Sequence, residues 1–344
     1  MDKRVIFAAA GSGKTTYIVN GLLSSKRSLI VTYTDANYAN LHNKICSKFC
    51  GKWPENINLM TYFSFLYRFC YKPFLSDKIR AKGLIFDNNP NTYVKQDKVQ
   101  YYLSEGRYLF SNRISLLLEK CRVVNDIRAR IMTYFDEFII DEVQDIAGRD
   151  FMFLEQLFTI NVDMLFVGDF FQHTYNTSRD GNVNKSLFSN KKAYEARFSS
   201  NGFLIDNTTL KNSWRCGSSV CDYIRCNIGI EIYSNRPDTI NTAIEFVTDN
   251  DSIGRILNDN RIIKLHFQNA SKSGIWHKNW GETKGEDHYQ DVCVLLNKTT
   301  ESARKAGKLS ELAPTTKNRL YVALTRARGN VYLIDEANVF LRYA

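Results

Sequence analysis

The chain has 344 residues, which is more than one hydrophobic core usually spans, so two domains are expected. Hydrophobic residues make up 44% and charged residues 24%, which is typical of a folded protein and excludes extensive disorder. The 46 Lys and Arg residues against 36 Asp and Glu give a formal charge of +10. This charge suits a polyanionic partner such as nucleic acid, and charge alone leaves a cationic structural protein as an alternative.

Neither membrane attachment nor chelation of a metal by cysteine is indicated. The apolar run Val5 to Ala10 is too short for a signal segment, and no run approaches the roughly 20 apolar residues of a membrane span. The eight cysteines form no CxxC pair, so reduced thiols are predicted rather than a zinc or iron–sulfur site. We expect a soluble, cytoplasmic monomer.

Short apolar runs rich in β-branched residues alternate with longer amphipathic segments, a pattern typical of a parallel sheet flanked by helices. The predicted strands are, in chain order, Arg4–Ala8, Ser28–Tyr33, Asn56–Met60, Glu137–Asp141, Met164–Val167, Phe203–Leu210, Arg261–Phe267, Asp291–Leu296 and Asn330–Ile334. The predicted helices are Lys14–Leu23, Ala36–Phe49, Gly217–Asn227 and Thr316–Arg326. The predicted fold class is therefore α/β with parallel sheets.

Two stretches fit this alternation poorly. Residues 65–134 lack strand signals and show helical periodicity around Val99–Cys121, which predicts a helical insert at about 66–134. Residues 233–280 mix Asn, Asp, Gly and Ser with short strands and are expected to be irregular. The small polar stretch Ser199–Asn201 predicts a first domain of residues 1–200 and a second of residues 201–344.

The first predicted strand runs directly into a glycine-rich turn, AAAGSGKT at residues 8–15. Backbone N–H groups at a helix N-terminus form a concave site for phosphate oxygens, and glycines let the backbone approach them. Lys14 can reach the β- and γ-phosphates, and the Thr15 hydroxyl can coordinate Mg²⁺. This turn predicts binding of a nucleoside triphosphate through Ala10, Gly11, Ser12, Gly13, Lys14, Thr15 and Thr16.

An apolar strand ends in adjacent carboxylates in the segment DEVQD at residues 141–145. A Mg²⁺–triphosphate site requires carboxylates of this kind opposite its phosphate loop. Asp141 is predicted to hold the metal through water, and Glu142 to orient and deprotonate the attacking water.

Taken together, these motifs resemble the UvrD/Rep/PcrA-like branch of superfamily 1 helicases. Matches occur in order along nearly the whole chain: AAAGSGKT at 8–15, IVTYTDA at 30–36, TYFSF at 61–65, DEVQD at 141–145, VGDFFQHTY at 167–175, NSWR at 212–215, TKGE at 283–286 and YVALTRAR at 321–328. The resemblance implies two RecA-like domains that bind ATP and Mg²⁺. The short interval between Arg215 and Thr283 leaves no room for the family's large 2B insertion, so a near-minimal motor is expected.

The resemblance also implies roles for individual residues. Gln172 would contact the γ-phosphate, and Arg215 and Arg326 would stabilise the transferring phosphoryl group. Trp214 would stack on the adenine, and Glu286 would contact the ribose. The positions that contact single strands in the family are here Tyr33, Thr34, Thr61, Tyr62, Phe63, Tyr175 and Lys284. Each of these aromatic rings is equally consistent with a place in the core.

The leading hypothesis is an ATP-dependent helicase or translocase, with 3′→5′ movement on single-stranded DNA or a forked duplex implied by the resemblance. Two alternatives stay open. One is a motor directed to RNA. The other is a non-unwinding ATP switch that binds nucleic acid and acts with an accessory nuclease or replication partner.

Overall fold

The computed structural model describes residues 2–174, 183–184, 186–236, 242–270 and 276–340. These residues form two compact units. The described residues of the first unit fall within Met1–Ile6, Thr15–Gly168 and Asn176–Asp206. Those of the second fall within Phe7–Lys14, Asp169–Tyr175 and Asn207–Ala344. The second unit therefore includes two short segments that are separated in sequence from its main part, Phe7–Lys14 and Asp169–Tyr175.

The first unit is built on a parallel sheet. Its strands are β1 (Lys3–Phe7), β2 (Ser28–Thr32), β3 (Ile57–Thr61), β4 (Gly83–Ile85), β5 (Tyr108–Phe110), β6 (Glu137–Asp141), β7 (Asp163–Gly168) and β8 (Leu204–Asp206). Six of them form one sheet in the order β3-β2-β6-β7-β1-β8, and β4 pairs with β5 separately. All five residues of β2 are buried, because a parallel strand covered on both faces needs apolar side chains along its whole length.

Helices cover this sheet and form part of the insert. They are α1 (Lys14–Gly21), α2 (Asp35–Lys48), α3 (Tyr62–Ser64), α4 (Lys72–Ile79), α5 (Ile114–Lys120), α6 (Val124–Tyr134), α7 (Gly148–Leu157) and α8 (Lys191–Ser199). A π-helical stretch at Phe65–Tyr71 joins α3 to α4.

Aromatic side chains dominate the core of the first unit. The rings of Phe151, Phe166, Phe198 and Phe203 all pack around Phe158, at centroid distances between 4.9 and 6.4 Å. All five side chains are at most 4% exposed. This packing joins β7 to the flanking helices α7 and α8 and so holds both helices against the sheet.

The insert, residues 66–134, is less helical than the sequence predicts. The expected helix around Val99–Cys121 is replaced by a 3₁₀ turn at Val99–Tyr101, strand β5 and helix α5. Arg107 has a φ of +64°, a left-handed conformation that a helix interior does not allow. The turn that contains it lets β5 pair in parallel with β4, so the expectation of no strands in this segment is wrong.

The second unit is built on a second parallel sheet. Its strands are β9 (Asn212–Ser213), β10 (Tyr233–Ser234), β11 (Ile244–Phe246), β12 (Ile263–His266), β13 (His277–Asn279), β14 (Val292–Leu296) and β15 (Val331–Asp335). Five strands form the sheet in the order β11-β15-β14-β12-β13, and β9 pairs with β10. Its helices are α9 (Ser218–Tyr223), α10 (Asn250–Asn258), α11 (Lys298–Lys305), α12 (Pro314–Leu324) and α13 (Glu336–Phe340).

The predicted α/β class with parallel sheets is confirmed. The strand predicted at Phe203–Leu210 lies in a different sheet from the one expected. It is β8, which pairs with β1 at the edge of the first sheet and does not start the second domain. The first unit thus continues to Asp206 instead of ending at residue 200. Within the described ranges no helix combines the length and apolar character needed to cross a bilayer.

Candidate functional site

The glycine-rich turn lies between β1 and α1, as the sequence predicts. Gly11 has a φ of +69° and Gly13 a φ of +87°, conformations that side chains with a Cβ rarely adopt. The Ser12 amide donates to the Ala9 carbonyl at 3.3 Å, and α1 begins at Lys14. The amide groups of the turn therefore lead into a helix N-terminus, an arrangement suited to phosphate.

Ser12 supplies a second indication of an anion site. Its side chain is 4% exposed, and its Oγ has no hydrogen-bond partner within the described part of the chain. A buried hydroxyl without a partner costs free energy, which a phosphate oxygen would recover. Because Lys14 is also buried and follows two residues later, the residues of this turn fit a bound phosphate.

The NSWR segment packs directly against the turn inside the second unit. The amide of Trp214 donates to the Gly11 carbonyl at 2.8 Å. A Cβ placed on Gly11 would lie 2.7 Å from Arg215 Cβ and 2.8 Å from Ser213 Oγ, closer than side chains approach. Glycine is therefore needed at position 11 for the turn to contact this segment.

Trp214 presents a large exposed ring beside the same turn. Its side chain is 57% exposed, although most tryptophans in folded proteins are largely buried. A Cβ placed on Gly13 would lie 3.9 Å from its Cδ1 atom. An exposed indole next to the glycine-rich turn is available to stack on a planar base.

Arg215 and Arg326 are both buried and both hydrogen-bonded to the protein. Arg215 Nη1 donates to the Thr325 carbonyl at 3.1 Å, and its Nη2 forms an ion pair with Asp287. Arg326, 1% exposed, donates from Nε to the Val322 carbonyl at 3.0 Å.

Two guanidinium charges in one buried region disfavour each other. Burial, reinforced by the positive charge of Arg215, lowers the pKa of Arg326 to about 10. The Nη1 atom of Arg326 donates to the carbonyls of Thr283 and Glu286 at 3.2 and 3.3 Å. These neutral acceptors only partly compensate for the charge, so an anion near the pair would be stabilised.

The VGDFFQHTY segment forms the turn that carries Gln172. Asp169 accepts a hydrogen bond from the Phe171 amide at 3.1 Å and so begins the 3₁₀ turn Phe170–Gln172. Gln172 is 4% exposed. Tyr175, which the sequence assigns to nucleic-acid binding, lies outside the described residues.

The TKGE segment pairs its acidic residue with protein groups. Glu286 forms an ion pair with Lys278 and accepts a hydrogen bond from the Tyr289 hydroxyl. Burial alone would raise the pKa of Glu286, but these two donors hold it below its usual value. A ribose contact by Glu286 would therefore compete with both partners. Lys284 is half-buried nearby.

The acidic residues of DEVQD stand at the end of a strand in the first unit. Asp141 is the last residue of β6 and is 2% exposed. Glu142 has a φ of +58°, which is uncommon for a residue other than glycine and indicates a constrained backbone. Its Oε2 accepts a hydrogen bond from Gln144 Nε2 at 2.6 Å. The segment thus holds the Glu142 carboxylate in a defined orientation.

Thr15 and Thr16 follow Lys14 in α1. Thr15 is half-buried, whereas Thr16 is exposed and its Oγ1 accepts a hydrogen bond from Lys44 at 2.8 Å. In the part of the chain that the structure describes, no group of three His, Cys, Asp or Glu residues could bind a metal on its own. Thr15 and Asp141 would supply only two of the ligands of Mg²⁺, which usually retains several waters and also binds substrate phosphates.

The aromatic residues predicted to contact single strands differ in exposure. Tyr62 is 2% exposed and its hydroxyl lies 3.4 Å from Ser115 Oγ, so its ring belongs to the core and cannot stack on a base here. Tyr33 and Phe63 are half-buried, with ring centroids 5.7 Å apart. Phe86, which the sequence did not indicate, is 65% exposed and packs edge-on against Phe63 at 5.1 Å.

Thr34 and Thr61 cap helices. The Thr34 hydroxyl accepts from the Asn37 amide at 3.1 Å, and the Thr61 hydroxyl accepts from the Ser64 amide at 3.4 Å. These bonds satisfy amides that the first turn of a helix leaves without a partner. A structural function therefore accounts for both residues. The same two caps also help to position Tyr33, Phe63 and Phe86, which form a partly exposed aromatic surface, because α2 and α3 begin beside it.

Positive charge is concentrated in the insert. Residues 66–134 contain thirteen Lys and Arg and six Asp and Glu, an excess of seven positive charges in a chain of formal charge +10. The basic residues Lys78, Arg80, Lys82 and Arg107 are all exposed. They lie close along the backbone, since Arg107 donates to the carbonyls of Ile79 and Arg80. The insert therefore presents a basic surface.

Two solved structures resemble this chain over nearly its whole length. The complex of the arterivirus nonstructural protein 10 helicase with DNA aligns with a TM-score of 0.52 and 15% identity, covering 98% of this chain and 61% of that chain. The crystal structure of the arterivirus nonstructural protein 10 helicase aligns with a TM-score of 0.51 and 17% identity, covering 97% and 59%. The chain therefore shares its fold with these two helicase structures. It spans about three fifths of the length of these helicases. No protein-family model and no curated protein matches it.

Proposed function

We propose that this chain is an ATP-driven motor on nucleic acid, related to the UvrD/Rep/PcrA-like helicases. One observation supports the proposal most strongly. The glycine-rich turn, with the buried hydroxyl of Ser12, packs in one compact unit against the segment that carries Trp214 and Arg215. A phosphate-binding turn next to an exposed ring and a buried guanidinium has the parts needed to bind a nucleoside triphosphate.

In this proposal, each charged residue acts on a different part of the triphosphate. The amides of residues 10–13 and the Lys14 ammonium bind the β- and γ-phosphates, and Thr16 is also part of the nucleotide-binding segment. Glu142 orients the attacking water and accepts its proton. Gln172 contacts the γ-phosphate. Mg²⁺, held by Thr15 and Asp141, would neutralise part of the phosphate charge.

Arg215 and Arg326 would stabilise the charge that develops on the transferring phosphoryl group. In related phosphoryl-transfer enzymes such an arginine contributes about 10³–10⁵ in rate. In this chain both side chains are hydrogen-bonded to carbonyl groups or to Asp287. Each must exchange those acceptors for phosphate oxygens. Burial and the repulsion from Arg215, which together lower the pKa of Arg326, favour the exchange.

The nucleic-acid partner in this proposal is a single strand. Tyr33, Phe63 and Phe86 form a partly exposed aromatic surface in the first unit, and base stacking on such rings contributes about 1–3 kcal/mol per base. Lys284 and the basic insert would contact phosphates. One of the similar helicases is described as bound to DNA. We therefore propose single-stranded DNA as the track and 3′→5′ as the direction.

Nucleotide hydrolysis stimulated by single strands tests the site. We expect Lys14→Ala and Glu142→Gln to reduce hydrolysis at least 100-fold, because one removes the phosphate contact and the other the general base. Lys308→Ala, at an exposed lysine that forms an ion pair with Glu311, serves as the matched control and should hydrolyse ATP normally. Hydrolysis by both site variants at the wild-type rate would contradict the assignment.

Substrate and direction require a separate measurement. Unwinding of 3′-tailed, 5′-tailed and blunt duplexes with ATP is expected only for the 3′-tailed substrate. Comparing stimulation by oligo-dT and oligo-rU separates a DNA motor from an RNA motor. Turnover without unwinding of any substrate would instead support the alternative of a non-unwinding switch.

A further inference from the structure

The hydroxyl of Tyr321 lies at the meeting point of three segments of the second unit. Tyr321 is 0% exposed in helix α12. Its Oη accepts a hydrogen bond from the Ala10 amide at 2.9 Å and donates to Asp169 Oδ2 at 3.1 Å. A hydroxyl has one proton to donate, so both bonds can exist only in this orientation of the proton.

Each partner of this hydroxyl belongs to a segment with a proposed role in hydrolysis. Ala10 directly precedes Gly11 in the phosphate-binding turn. Asp169 begins the turn that carries Gln172, through its bond with the Phe171 amide. Helix α12 ends at Leu324, two residues before Arg326. The Tyr321 hydroxyl therefore contacts both the glycine-rich turn and the turn that carries Gln172, and it lies on the helix that leads to Arg326.

Neighbouring contacts hold α12 against the Gln172 turn. Asn318 Nδ2 donates to the His173 carbonyl at 3.3 Å, close to one helical turn before Tyr321. The rings of Phe171 and Tyr321 pack edge to face with centroids 6.1 Å apart. Burial and the negative charge of Asp169 raise the pKa of Tyr321 well above its usual value, so the hydroxyl keeps its proton at neutral pH.

We propose that Tyr321 is a positioning residue for nucleotide hydrolysis, whose hydroxyl fixes the phosphate-binding turn and the Gln172 turn in register with the helix that leads to Arg326. The inference rests on the proposed function, since it assumes that Gln172 and Arg326 act on a bound triphosphate. It adds a role for Tyr321 and Asp169, which that function does not itself require. Tyr321 would not contact the nucleotide.

Tyr321→Phe in the full chain tests the proposal, because it keeps the ring and removes only the hydroxyl. We expect kcat for ATP hydrolysis to fall 10- to 100-fold with KM for ATP changed less than threefold, since the contacts of Lys14 remain but the register is lost. Tyr332→Phe is the matched control, at a tyrosine on β15 whose hydroxyl accepts a hydrogen bond from Asn330, and it should leave kcat unchanged.

A double-mutant cycle separates positioning from general loss of stability. Asp169→Asn leaves one acceptor oxygen for the two donors Tyr321 Oη and the Phe171 amide, so it should also lower kcat. Because the two residues share a hydrogen bond, the fall in kcat of the double variant should be smaller than the product of the two single falls. Fold-changes that multiply, or a wild-type kcat in Tyr321→Phe, would overturn the proposal. If Tyr321→Phe does not fold, a wild-type kcat in Asp169→Asn overturns it instead. Absence of hydrolysis in the wild-type chain would refute the proposed function, which is a different outcome.

Discussion

Gly11→Ala should destabilise the second unit even when no nucleotide is bound. The new methyl group would lie 2.7 Å from Arg215 Cβ and 2.8 Å from Ser213 Oγ. Arg215 Cβ is fixed by the backbone, and Ser213 Oγ is held by hydrogen bonds from the amides of Arg215 and Cys216. In addition, the φ of +69° at this position is unfavourable for any residue with a Cβ. Strain and overlap therefore act together.

The magnitude follows from these two contributions. A left-handed conformation costs about 1–2 kcal/mol for an L-residue. Overpacking by one methyl group costs about 1–3 kcal/mol, because the neighbouring backbone must shift. We therefore expect Gly11→Ala to lower the free energy of unfolding by about 2–5 kcal/mol.

Two other glycines provide controls that separate the contributions. Gly202 has a φ of +82°, and a Cβ added there would meet nothing within 4 Å, so Gly202→Ala should cost only the strain, about 1–2 kcal/mol. Gly21 has an equally open position without the positive φ and ends α1, so alanine there should be neutral or stabilise the chain by up to about 1 kcal/mol.

Urea unfolding of the three alanine variants, monitored by circular dichroism, measures these differences. The expected order of stability is Gly21→Ala, then Gly202→Ala, then Gly11→Ala. If Gly11→Ala is as stable as Gly202→Ala, the close approach of the turn to Arg215 does not limit the residue at position 11, and the reasoning fails.

Three further outcomes are expected. Burial, with a smaller contribution from His277, lowers the pKa of His266 to about 4, so below pH 6.5 the unfolded chain binds a proton that the folded chain does not. The free energy of unfolding should therefore fall by up to about 3 kcal/mol from pH 6.5 to pH 4. His266→Phe should flatten this dependence, and an unchanged slope in urea titrations would argue against it. Phe86→Ala should weaken binding of a fluorescent oligo-dT by about 1–3 kcal/mol, whereas Tyr93→Ala, at a 94% exposed ring, should bind normally; equal anisotropy curves for both would exclude Phe86 as a contact. Phe158→Ala should lower the free energy of unfolding by about 3–5 kcal/mol, and a loss below about 1 kcal/mol would show that the surrounding rings repack.

The parts of the candidate site that are formed by residues adjacent in the sequence could be predicted from it. The turn at residues 8–15 and the carboxylates at 141–142 are each contained in one strand end and its following loop, so spacing alone located them. The central strands of both sheets were predicted for the same reason, since burial on both faces gives an unbroken apolar run. Strands β4, β11 and β13 have three residues each, too few for a periodic pattern to appear.

Roles that depend on distant contacts could not be predicted. The partners of the Tyr321 hydroxyl lie 311 and 152 positions away in the sequence. Tyr62 and Phe63 are adjacent, yet α3 turns Tyr62 into the core and leaves Phe63 half-buried. Phe86 lies in an insert without a clear pattern, so nothing in the sequence indicated that its ring would pack against Phe63.

The uneven distribution of charge has a consequence for how salt affects the molecule. Without residues 66–134 the remaining chain would carry a formal charge of only about +3. Release of counterions from a polyanion depends on the number of cations that meet its phosphates. The dependence of nucleic-acid binding on ionic strength should therefore be determined mainly by the basic residues of the insert. Replacing Lys78 and Lys82 by glutamine should make this dependence weaker while nucleotide affinity stays the same.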